Sequence, residues 1–391
     1  MERTGDIISL WNDKSPHIVT SRIKDAREYK GLTLDGLAEK VGITKQAISL
    51  YEKGKRVPSI EILKKISLAT DFPINFFYKE KRENVVQIKP DFRSNKIGAT
   101  QERILEKRAE CIIENVMDYI SEYVRLPRVT MLPIKCDVNE AFNQEEIIEI
   151  VKSLRNLWKL SDKPIPDLAY IMQKNGCVII MLDLMDKTDG FSYWYEDVPY
   201  IFLNSTYKSA SRARFTLAHE LGHLILHRED SLKRRNIKLK EAEANFFASE
   251  FLYPSEVALD ELDSISLESL IPIKSKWGIS IGALVRKALD LDLITDERYT
   301  QLNKQISKRR WRKEEPLDDI LVFKKPKLLK DAFNVLVDND VLTKKEILDE
   351  IGFHAEELCK ICCLDKDYFA EEKNFFDGKE YIKTNVIKFP R

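Results

Sequence analysis

Residues 214–227 read RFTLAHELGHLILH, and residues 241–252 read EAEANFFASEFL. Both stretches repeat apolar residues at helical spacing, which predicts two helices separated by a polar segment. Pro254 follows the second stretch closely and is expected to end its helix. Three of the chain's five histidines lie in the first stretch, at positions 219, 223 and 227. This pair of helices is therefore where the sequence points to chemistry.

His219 and His223 are four residues apart, so on a helix their imidazoles share one face and can bind one metal ion together. Glu220 lies one position further round, beside the open coordination site, where it can take a proton from a bound water. The H-E-x-x-H pattern therefore predicts a zinc site (Zn²⁺) with Glu220 as general base. The alternative is a pair of buried, hydrogen-bonded histidines without a metal.

The second stretch offers a third ligand, since a catalytic zinc ion needs three protein ligands and a water. Glu241 and Asn245 are four apart and share a face, whereas Glu243 points nearly opposite to Glu241. We expect Glu241 to bind the metal and Asn245 to hydrogen-bond a ligating histidine. Glu243 is the reserve ligand. His227 is interpreted as a cap or surface residue, because a fourth protein ligand would close the site.

Two short apolar runs rich in strand formers precede the histidine helix: CVIIMLDL at 177–184 and VPYIFLN at 198–204. Residues 145–160, EEIIEIVKSLRNLWKL, predict a further helix. These elements predict an α+β domain in which a small sheet packs against the H-E-x-x-H helix and the Glu241 helix. VPYIFLN is expected to be an edge strand, of the kind that holds a peptide substrate by strand addition.

Residues 32–56 read LTLDGLAEKVGITKQAISLYEKGKR and predict two short helices joined by a tight turn. Thr33 and Thr44 are expected to cap these helices. Gly42 permits the left-handed conformation that reverses the chain between them. The segment therefore predicts an all-α helix-turn-helix unit.

The second of these helices is expected to read DNA. Ala47, Ile48 and Tyr51 should pack inward, which leaves the other side chains near its start facing a major groove. Gln46 suits adenine, Lys45 suits guanine, and the cations at the far end suit phosphates. The residues expected to contact double-stranded DNA are Lys45, Gln46, Ser49, Lys53, Lys55 and Arg56. The alternative is a helical module used only for protein contacts.

The first segment resembles the XRE (Cro/C1-type) helix-turn-helix family through Leu34, Leu37, Ala38, Gly42, Ile43, Thr44, Ile48, Ser49, Glu52, Gly54, Pro58 and Ser59. Residues 214–254 resemble the ImmA/IrrE family of zinc metallopeptidases, whose pattern is F-[TS]-x-A-H-E-x-[GA]-H and then E-x-x-A-N-x-F-A-x-x-[LF]-L-x-P. Residues 270–316 resemble the segment that follows this core in helix-turn-helix-fused members.

The resemblance to the ImmA/IrrE family implies that His219, His223 and Glu241 are metal ligands and that Glu220 is the catalytic glutamate. It also implies an intracellular peptidase that cleaves a helix-turn-helix repressor and so switches on mobile-element or stress-response genes.

The chain of 391 residues is long enough for two or three domains. We predict a helix-turn-helix domain at 17–80, a linker and connecting helix at 81–125, a peptidase domain at 126–300 and a helical C-terminal region at 301–391, and so a mainly α protein. A hydrophobic content of 43% excludes wholly disordered classes. No apolar run is long enough to span a membrane and no signal peptide is evident, so we expect a cytoplasmic protein without a membrane partner.

Four weaker patterns remain. The basic stretch 307–313, SKRRWRK, is interpreted as a solvated helix end, with nucleic-acid contact as the alternative. Residues 277–289, WGISIGALVRKAL, have the shape of a second helix-turn-helix, although packing within the peptidase domain is favoured. Cys359, Cys362 and Cys363, near His354, are interpreted as buried thiols rather than a second metal site. Three tyrosines upstream of the histidine helix are candidate oxyanion donors: Tyr193, Tyr195 and Tyr207.

The sequence as a whole predicts a zinc-dependent endopeptidase fused to a sequence-specific DNA-binding domain. Two other hypotheses stay open. In one, the chain is a transcription factor whose metal domain senses a ligand or partner without proteolysis. In the other, it is a scaffold in a phage-defence or toxin–antitoxin system. A homodimer is expected if the operator is palindromic.

Overall fold

The structure, a computed structural model, describes residues 17–81, 98–132, 141–184, 188–207, 209–228 and 237–370. Residues 82–97 of the predicted linker and residues 371–391 of the predicted C-terminal region lie outside the described part. The described residues are mainly helical, with one three-stranded sheet beside the histidine helix, which confirms the predicted fold class. None of the described helices is long and apolar enough to cross a membrane.

The N-terminal helices form a compact unit. Helix α1 spans Ser21–Tyr29, α2 spans Leu34–Val41, α3 spans Lys45–Glu52 and α4 spans Ile60–Thr70, and a 3₁₀ turn follows at Ile74–Tyr78.

The turn between α2 and α3 forms for local reasons that the sequence predicts. The hydroxyl oxygen of Thr33 accepts a hydrogen bond from the backbone N–H of Gly36, and that of Thr44 accepts one from Ala47, so both caps are confirmed. Gly42 has φ 75°, a left-handed conformation that favours glycine. The two helices are therefore held at the angle of a helix-turn-helix.

The connecting helix is tied to this unit. It comprises α5 at Ala99–Ile112, a π-helical turn at Ile113–Met117 and α6 at Asp118–Tyr123. Arg22 of α1 is 1% exposed and donates two hydrogen bonds, of 2.9 and 2.8 Å, to the carboxylate of Glu114. Such a bidentate pair has little geometric freedom, so the helix packs firmly on α1.

The helices around the histidine motif come next in the chain. Helix α7 spans Gln144–Leu157 and α8 spans Leu168–Lys174, whereas α9 at Ala210–Leu226 and α10 at Ile237–Leu252 contain the two quoted stretches. The predicted helices over 145–160, 214–227 and 241–252 are therefore confirmed.

Four further helices complete this part: α11 at Ser255–Glu261, α12 at Leu270–Trp277, α13 at Ile281–Asp290 and α14 at Asp296–Lys308. The pair α12 and α13 has the shape of a helix-turn-helix, with Gly278 at φ 67° in its turn. Its Trp277, Ile281 and Leu284 are nevertheless buried in the surrounding core. The interpretation of residues 277–289 as a packing element is confirmed.

The sheet consists of β1 at Val178–Leu182, β2 at Gly190–Tyr195 and β3 at Val198–Asn204, in the order β1-β3-β2. β1 runs parallel to β3, and β2 pairs antiparallel with β3. The β2–β3 hairpin turns through Glu196 and Asp197, whose φ angles of 46° and 62° match a two-residue turn of type I′.

Three C-terminal helices follow: α15 at Leu328–Asp338, α16 at Lys344–Ile351 and α17 at Ala355–Cys362. They pack on the N-terminal unit rather than beside α14. Phe353, between α16 and α17, has its ring centroid 5.8 Å from that of Tyr29 and 5.5 Å from that of Phe72. Tyr29 also donates a 2.8 Å hydrogen bond to Glu357. The region predicted at 301–391 thus has two parts. Helix α14 packs with the histidine helices, whereas α15 to α17 pack with the N-terminal unit.

Because the side chains of a strand alternate between its faces, the sheet separates two cores. The first core joins the helix-turn-helix unit, the connecting helix and the C-terminal helices. It takes from the sheet Val178, Ile180, Leu182, Phe191, Tyr193, Tyr200 and Phe202. The second core holds α7 to α14, and it takes Ile179, Met181, Ile201 and Leu203.

The packing of Phe353 yields a test of the C-terminal docking. Phe353→Ala should lower the free energy of unfolding by about 3–5 kcal/mol, because a buried phenylalanine is replaced by a cavity. Urea denaturation followed by tryptophan fluorescence measures this change. The control is Val335→Ala on α15, where the side chain is 52% exposed and the cost should stay within about 0.5 kcal/mol. Equal effects of the two substitutions would contradict the docking.

Candidate functional site

The contact between α9 and α10 positions the candidate site, and a glycine allows it to be close. A Cβ at Gly222 would lie 3.0 Å from Phe247 Cδ1, tighter than ordinary van der Waals contact. With glycine at this position, the aromatic ring packs directly on the backbone of α9. The face of α9 that carries His219 and His223 therefore lies beside the start of α10.

Three potential ligands converge there. The Nε2 atoms of His219 and His223 are 3.0 Å apart, and carboxylate oxygens of Glu241 lie 3.6 Å from the first and 3.4 Å from the second. His223 is buried, whereas the side chain of Glu241 is 34% exposed. The cluster is thus closed on the protein side and open towards solvent. Within the described ranges it is the one group of histidine, cysteine and acidic residues spaced to hold a metal ion.

The spacing of these atoms fits zinc. A tetrahedral ion with bonds of ~2.0–2.1 Å places its ligand atoms ~3.3 Å apart. The two nitrogens are 3.0 Å apart, and each lies 3.4 or 3.6 Å from a different oxygen of Glu241. One potential ligand atom of each residue lies within 4.8 Å of the others, so small side-chain adjustments bring them to this spacing. Two imidazole nitrogens and one carboxylate oxygen are also a ligand set of catalytic rather than structural zinc sites.

Glu220 is held by a residue that the sequence did not single out. Ser192 of β2 donates a 2.6 Å hydrogen bond from its hydroxyl to Glu220 Oε2, and Glu220 is buried. β2 approaches α9 closely because residue 190 is glycine, where a Cβ would lie 2.9 Å from Thr216 Cγ2. The alternation of aromatic and small residues in GFSYWY was the signal that could have revealed this strand.

The prediction that VPYIFLN is an edge strand is wrong. β3 lies between β1 and β2 and pairs with both of them. β2 is the outer strand on this side, and it packs against α9. In the described sheet the end strand next to α9 is therefore β2, at Gly190–Tyr195.

The alternation of side chains along β2 contradicts the hypothesis that Tyr193 or Tyr195 is an oxyanion donor. Ser192 and Trp194 face α9, and Trp194 donates a 2.9 Å hydrogen bond from its indole nitrogen to Leu224 O. Tyr193 and Tyr195 point to the opposite face and pack in or against the first core. Burial raises the pKa of Tyr193 well above its usual value. Neither tyrosine is placed to stabilise an oxyanion near Glu220, and Tyr207 packs edge-on against Phe323.

The remaining polar residues of the two helices differ from expectation. His227 ends α9 as predicted for a cap, but it is only 3% exposed and so is not a surface residue. Glu243 is also buried, and its Oε2 lies 2.8 Å from His227 Nε2. Asn245, expected beside a ligating histidine, is solvent-exposed. The neighbour of His223 is His227, whose Nδ1 lies 2.9 Å from Nδ1 of His223.

The predicted DNA contacts lie on α3 and the turn after it. Lys45, Gln46, Lys53, Lys55 and Arg56 are exposed and Ser49 is half-buried, while Ile48 and Tyr51 are buried as expected. Lys45 Nζ lies 2.6 Å from Asp35 Oδ2, an exposed ion pair. Such pairs contribute ~0–1 kcal/mol, so Lys45 can leave Asp35 at little cost.

Comparison with known proteins agrees with both halves of this description. Residues 172–289 match the family model described as Peptidase_M78, IrrE N-terminal-like domain. Residues 23–77 match the family model described as HTH_3, Helix-turn-helix. The chain therefore contains an IrrE-like domain and an XRE-type helix-turn-helix domain.

Individual relatives are regulators by name. The uncharacterized HTH-type transcriptional regulator YqaE of Bacillus subtilis (strain 168) is 32% identical over 108 residues, which cover 25% of this chain and 93% of that protein. The HTH-type transcriptional regulator SinR of the same organism is 37% identical over 67 residues, which cover 17% of this chain and 60% of SinR. SinR of Bacillus licheniformis has the same identity and coverage.

A cleft of about 420 Å³ adjoins the N-terminal end of α9 in the IrrE-like region. Arg212 and Thr216 of α9 line one side, and Trp311, Arg312 and Lys313 of the basic stretch line another. Arg312 donates hydrogen bonds to two neutral oxygens, Ser307 Oγ at 2.7 Å and Asn303 Oδ1 at 3.2 Å. The basic stretch is thus a wall of a cleft one helical turn from Glu220.

The C-terminal cysteines agree with a packing role. Cys359 and Cys362 are buried in the first core. Burial raises the pKa of Cys359 to about 11 and that of Cys363 to about 11, so these thiols stay protonated at neutral pH. His354 lies 4.0 Å from Asp71.

Proposed function

We propose that this protein is a zinc-dependent endopeptidase fused to a sequence-specific DNA-binding domain, and that it cleaves a helix-turn-helix repressor to switch gene expression. The observation that carries the proposal is the convergence of His219, His223 and Glu241, with Glu220 next to His219 in the chain and hydrogen-bonded to Ser192. The comparisons support the families of both domains, and the reaction itself is our inference.

His219, His223 and Glu241 would hold the ion through two ring nitrogens and one carboxylate oxygen. Zinc bound there supplies a Lewis acid that lowers the pKa of water towards 7 and polarises a scissile carbonyl. Glu220 accepts the proton of the attacking water and then delivers it to the leaving amine nitrogen. Ser192 keeps the Glu220 carboxylate in one orientation during both transfers.

The substrate backbone would add to the outer edge of β2. β2 pairs with β3 and is an end strand in the order β1-β3-β2 of the described sheet. An extended peptide can join a sheet at an end strand by forming a further strand. Because Ser192 belongs to β2 and contacts Glu220, a peptide on this edge lies next to the general base.

Glu220 also distinguishes an enzyme from a passive metal site. A domain that only binds metal or a partner has no need of a general base next to an open coordination position. In this protein the carboxylate is buried, and the hydroxyl of Ser192 orients it. We therefore favour turnover over binding alone.

Glu220→Gln should retain one zinc per chain and lower the rate of repressor cleavage by about 10²–10⁴-fold, because the ligands remain and the general base is lost. Elemental analysis measures the zinc. Electrophoresis measures the cleavage of purified helix-turn-helix repressors, beginning with any encoded beside this gene.

The matched control is Glu297→Gln, the same substitution at an exposed position of α14, which should leave both zinc content and cleavage unchanged. Cleavage by the Glu220 variant at the parent rate would refute the mechanism.

For the N-terminal domain we propose sequence-specific binding of double-stranded DNA through Lys45, Gln46 and Ser49, with Lys53, Lys55 and Arg56 on the phosphates. Their exposure next to a buried Ile48 is the arrangement that a recognition helix needs. The DNA domain would bring the peptidase to the operators where its repressor is bound. Pairing of two copies on a palindromic operator is part of the same proposal.

The double variant Gln46→Ala, Arg56→Ala should weaken binding to a selected operator by at least about tenfold, because a base contact and a phosphate contact are lost. The measurement is fluorescence anisotropy of the full chain with duplexes selected from a random pool, at several salt concentrations. Lys304→Ala on α14 removes an exposed cation far from α3 and should leave the affinity unchanged. A parent protein with no sequence preference at any ionic strength would contradict the DNA-reading proposal.

A second function, the sensing of a small ligand without proteolysis, is favoured by the cleft beside α9. Its volume of about 420 Å³ lies within the usual range for ligand pockets. The acids in its lining, Asp189, Glu315 and Asp318, are paired with Arg212 and Lys274, so Arg312 and Lys313 are the cations that suit an anionic molecule. Under this alternative, ATP or acetyl-CoA should raise the unfolding temperature of the parent but not of Arg312→Ala, Lys313→Ala. Unchanged gene regulation by Glu220→Gln would also favour sensing, whereas lost regulation favours the peptidase.

A further inference from the structure

Behind the candidate ligand His223, a row of hydrogen-bonding groups leads away from the solvent-exposed side of the site. Nδ1 of His223 lies 2.9 Å from Nδ1 of His227, and Nε2 of His227 lies 2.8 Å from Glu243 Oε2. Glu243 Oε1 accepts a 2.9 Å hydrogen bond from the backbone N–H of Phe142. We call His223, His227 and Glu243 the relay.

The relay is buried throughout. His227 and Glu243 are each 3% exposed, and they lie between α9, α10 and the segment just before α7. Burying a carboxylate and an imidazole is costly unless their polar atoms have partners. The partners in this protein form one continuous row that ends on a candidate metal ligand, which argues for a role beyond packing.

The direction of each hydrogen bond follows from the ligand at one end. Nε2 of His223 belongs to the ligand cluster, so it must present a lone pair, and the ring proton must be on Nδ1. That proton is donated to Nδ1 of His227. A neutral His227 then carries its own proton on Nε2 and donates it to Glu243 Oε2. Each ring proton of the relay is therefore assigned to one nitrogen: Nδ1 of His223 and Nε2 of His227.

We propose that His227 and Glu243 are positioning residues of the metal site, which fix the tautomer and ring orientation of His223 and strengthen it as a ligand. This inference rests on the metal site of the proposed function, but not on its reaction. The carboxylate of Glu243 adds a negative charge behind His223, so the charge of a divalent ion is balanced by Glu241 in front and Glu243 behind. The backbone N–H of Phe142, next to the start of α7, holds that charge.

The geometry also decides against His227 as a fourth ligand. His227 meets the Nδ1 side of the His223 ring, whereas the ligand cluster is on the Nε2 side. The ring of His223 therefore separates His227 from the metal position, and the site keeps three protein ligands. The same geometry explains why Glu243 is not the third ligand: it contacts His227, which contacts His223, and leaves the ligand position to Glu241.

The test is the zinc affinity of the full chain, measured by competition with a fluorescent chelator. His227→Leu and Glu243→Gln should each raise the zinc dissociation constant by about 10–100-fold, the usual effect of losing a partner of a metal ligand. His227→Gln should restore most of the affinity, because an amide can accept from His223 and donate to Glu243. Cobalt-substituted protein provides a second readout, since the visible spectrum should change in His227→Leu and return in His227→Gln.

Two controls bracket the result. Glu241→Ala removes a proposed ligand and should abolish stoichiometric binding, whereas Lys304→Ala changes an exposed residue of α14 and should change nothing. A purely structural role predicts a lower unfolding temperature of the apo-protein with an unchanged dissociation constant. If His227→Leu does not fold, Glu243→Gln alone decides.

Dissociation constants of both variants within about twofold of the parent value would overturn the relay. A parent protein that binds no zinc would instead refute the metal site itself. Intact zinc binding without cleavage would refute only the reaction, and the relay would stand.

Discussion

The contact between α9 and α10 is the constraint on which the site depends. A single helix can supply two ligands by placing histidines four residues apart, but the third must come from another element at a defined distance. At Gly222 the backbone of α9 meets the ring of Phe247 with no side chain between them. A Cβ at this position would force the Phe247 side chain to give by a few tenths of an ångström. Glycine therefore lets α10 pack closely on the helix that carries His219 and His223.

Features set by near neighbours in the chain could be predicted from the sequence. The caps at Thr33 and Thr44, the turn at Gly42 and the shared face of His219 and His223 each depend on residues within one or two helical turns. These features follow from local sequence patterns and do not depend on packing between distant segments. Glu241 lies beside the histidines as expected, but the reason for choosing it over Glu243, an Asn245 bonded to a ligating histidine, does not hold.

The rest depends on packing between distant segments. No local pattern orders the strands as β1-β3-β2, so the edge was assigned to the wrong strand. The oxyanion hypothesis fails for Tyr193 and Tyr195 for a related reason, because proximity in sequence does not say which face of β2 a residue occupies. The burial of His227 could not be foreseen either, since its partner Glu243 and the backbone of Phe142 come from two other segments. The docking of Phe353 on Tyr29 joins residues more than three hundred positions apart.

The side chains of β2 alternate between the two faces of the sheet, and this alternation connects the two cores of the molecule. In β2, Phe191 and Tyr193 belong to the first core, which includes the helix-turn-helix unit and the C-terminal helices. Ser192, between them, holds Glu220 on the other face. Neighbouring residues of a strand share one backbone, so a displacement of β2 moves all three side chains together. The orientation of the proposed general base is thus coupled to the packing of the core that supports α3, because Ser192 and its neighbours in β2 contact opposite sides of the sheet.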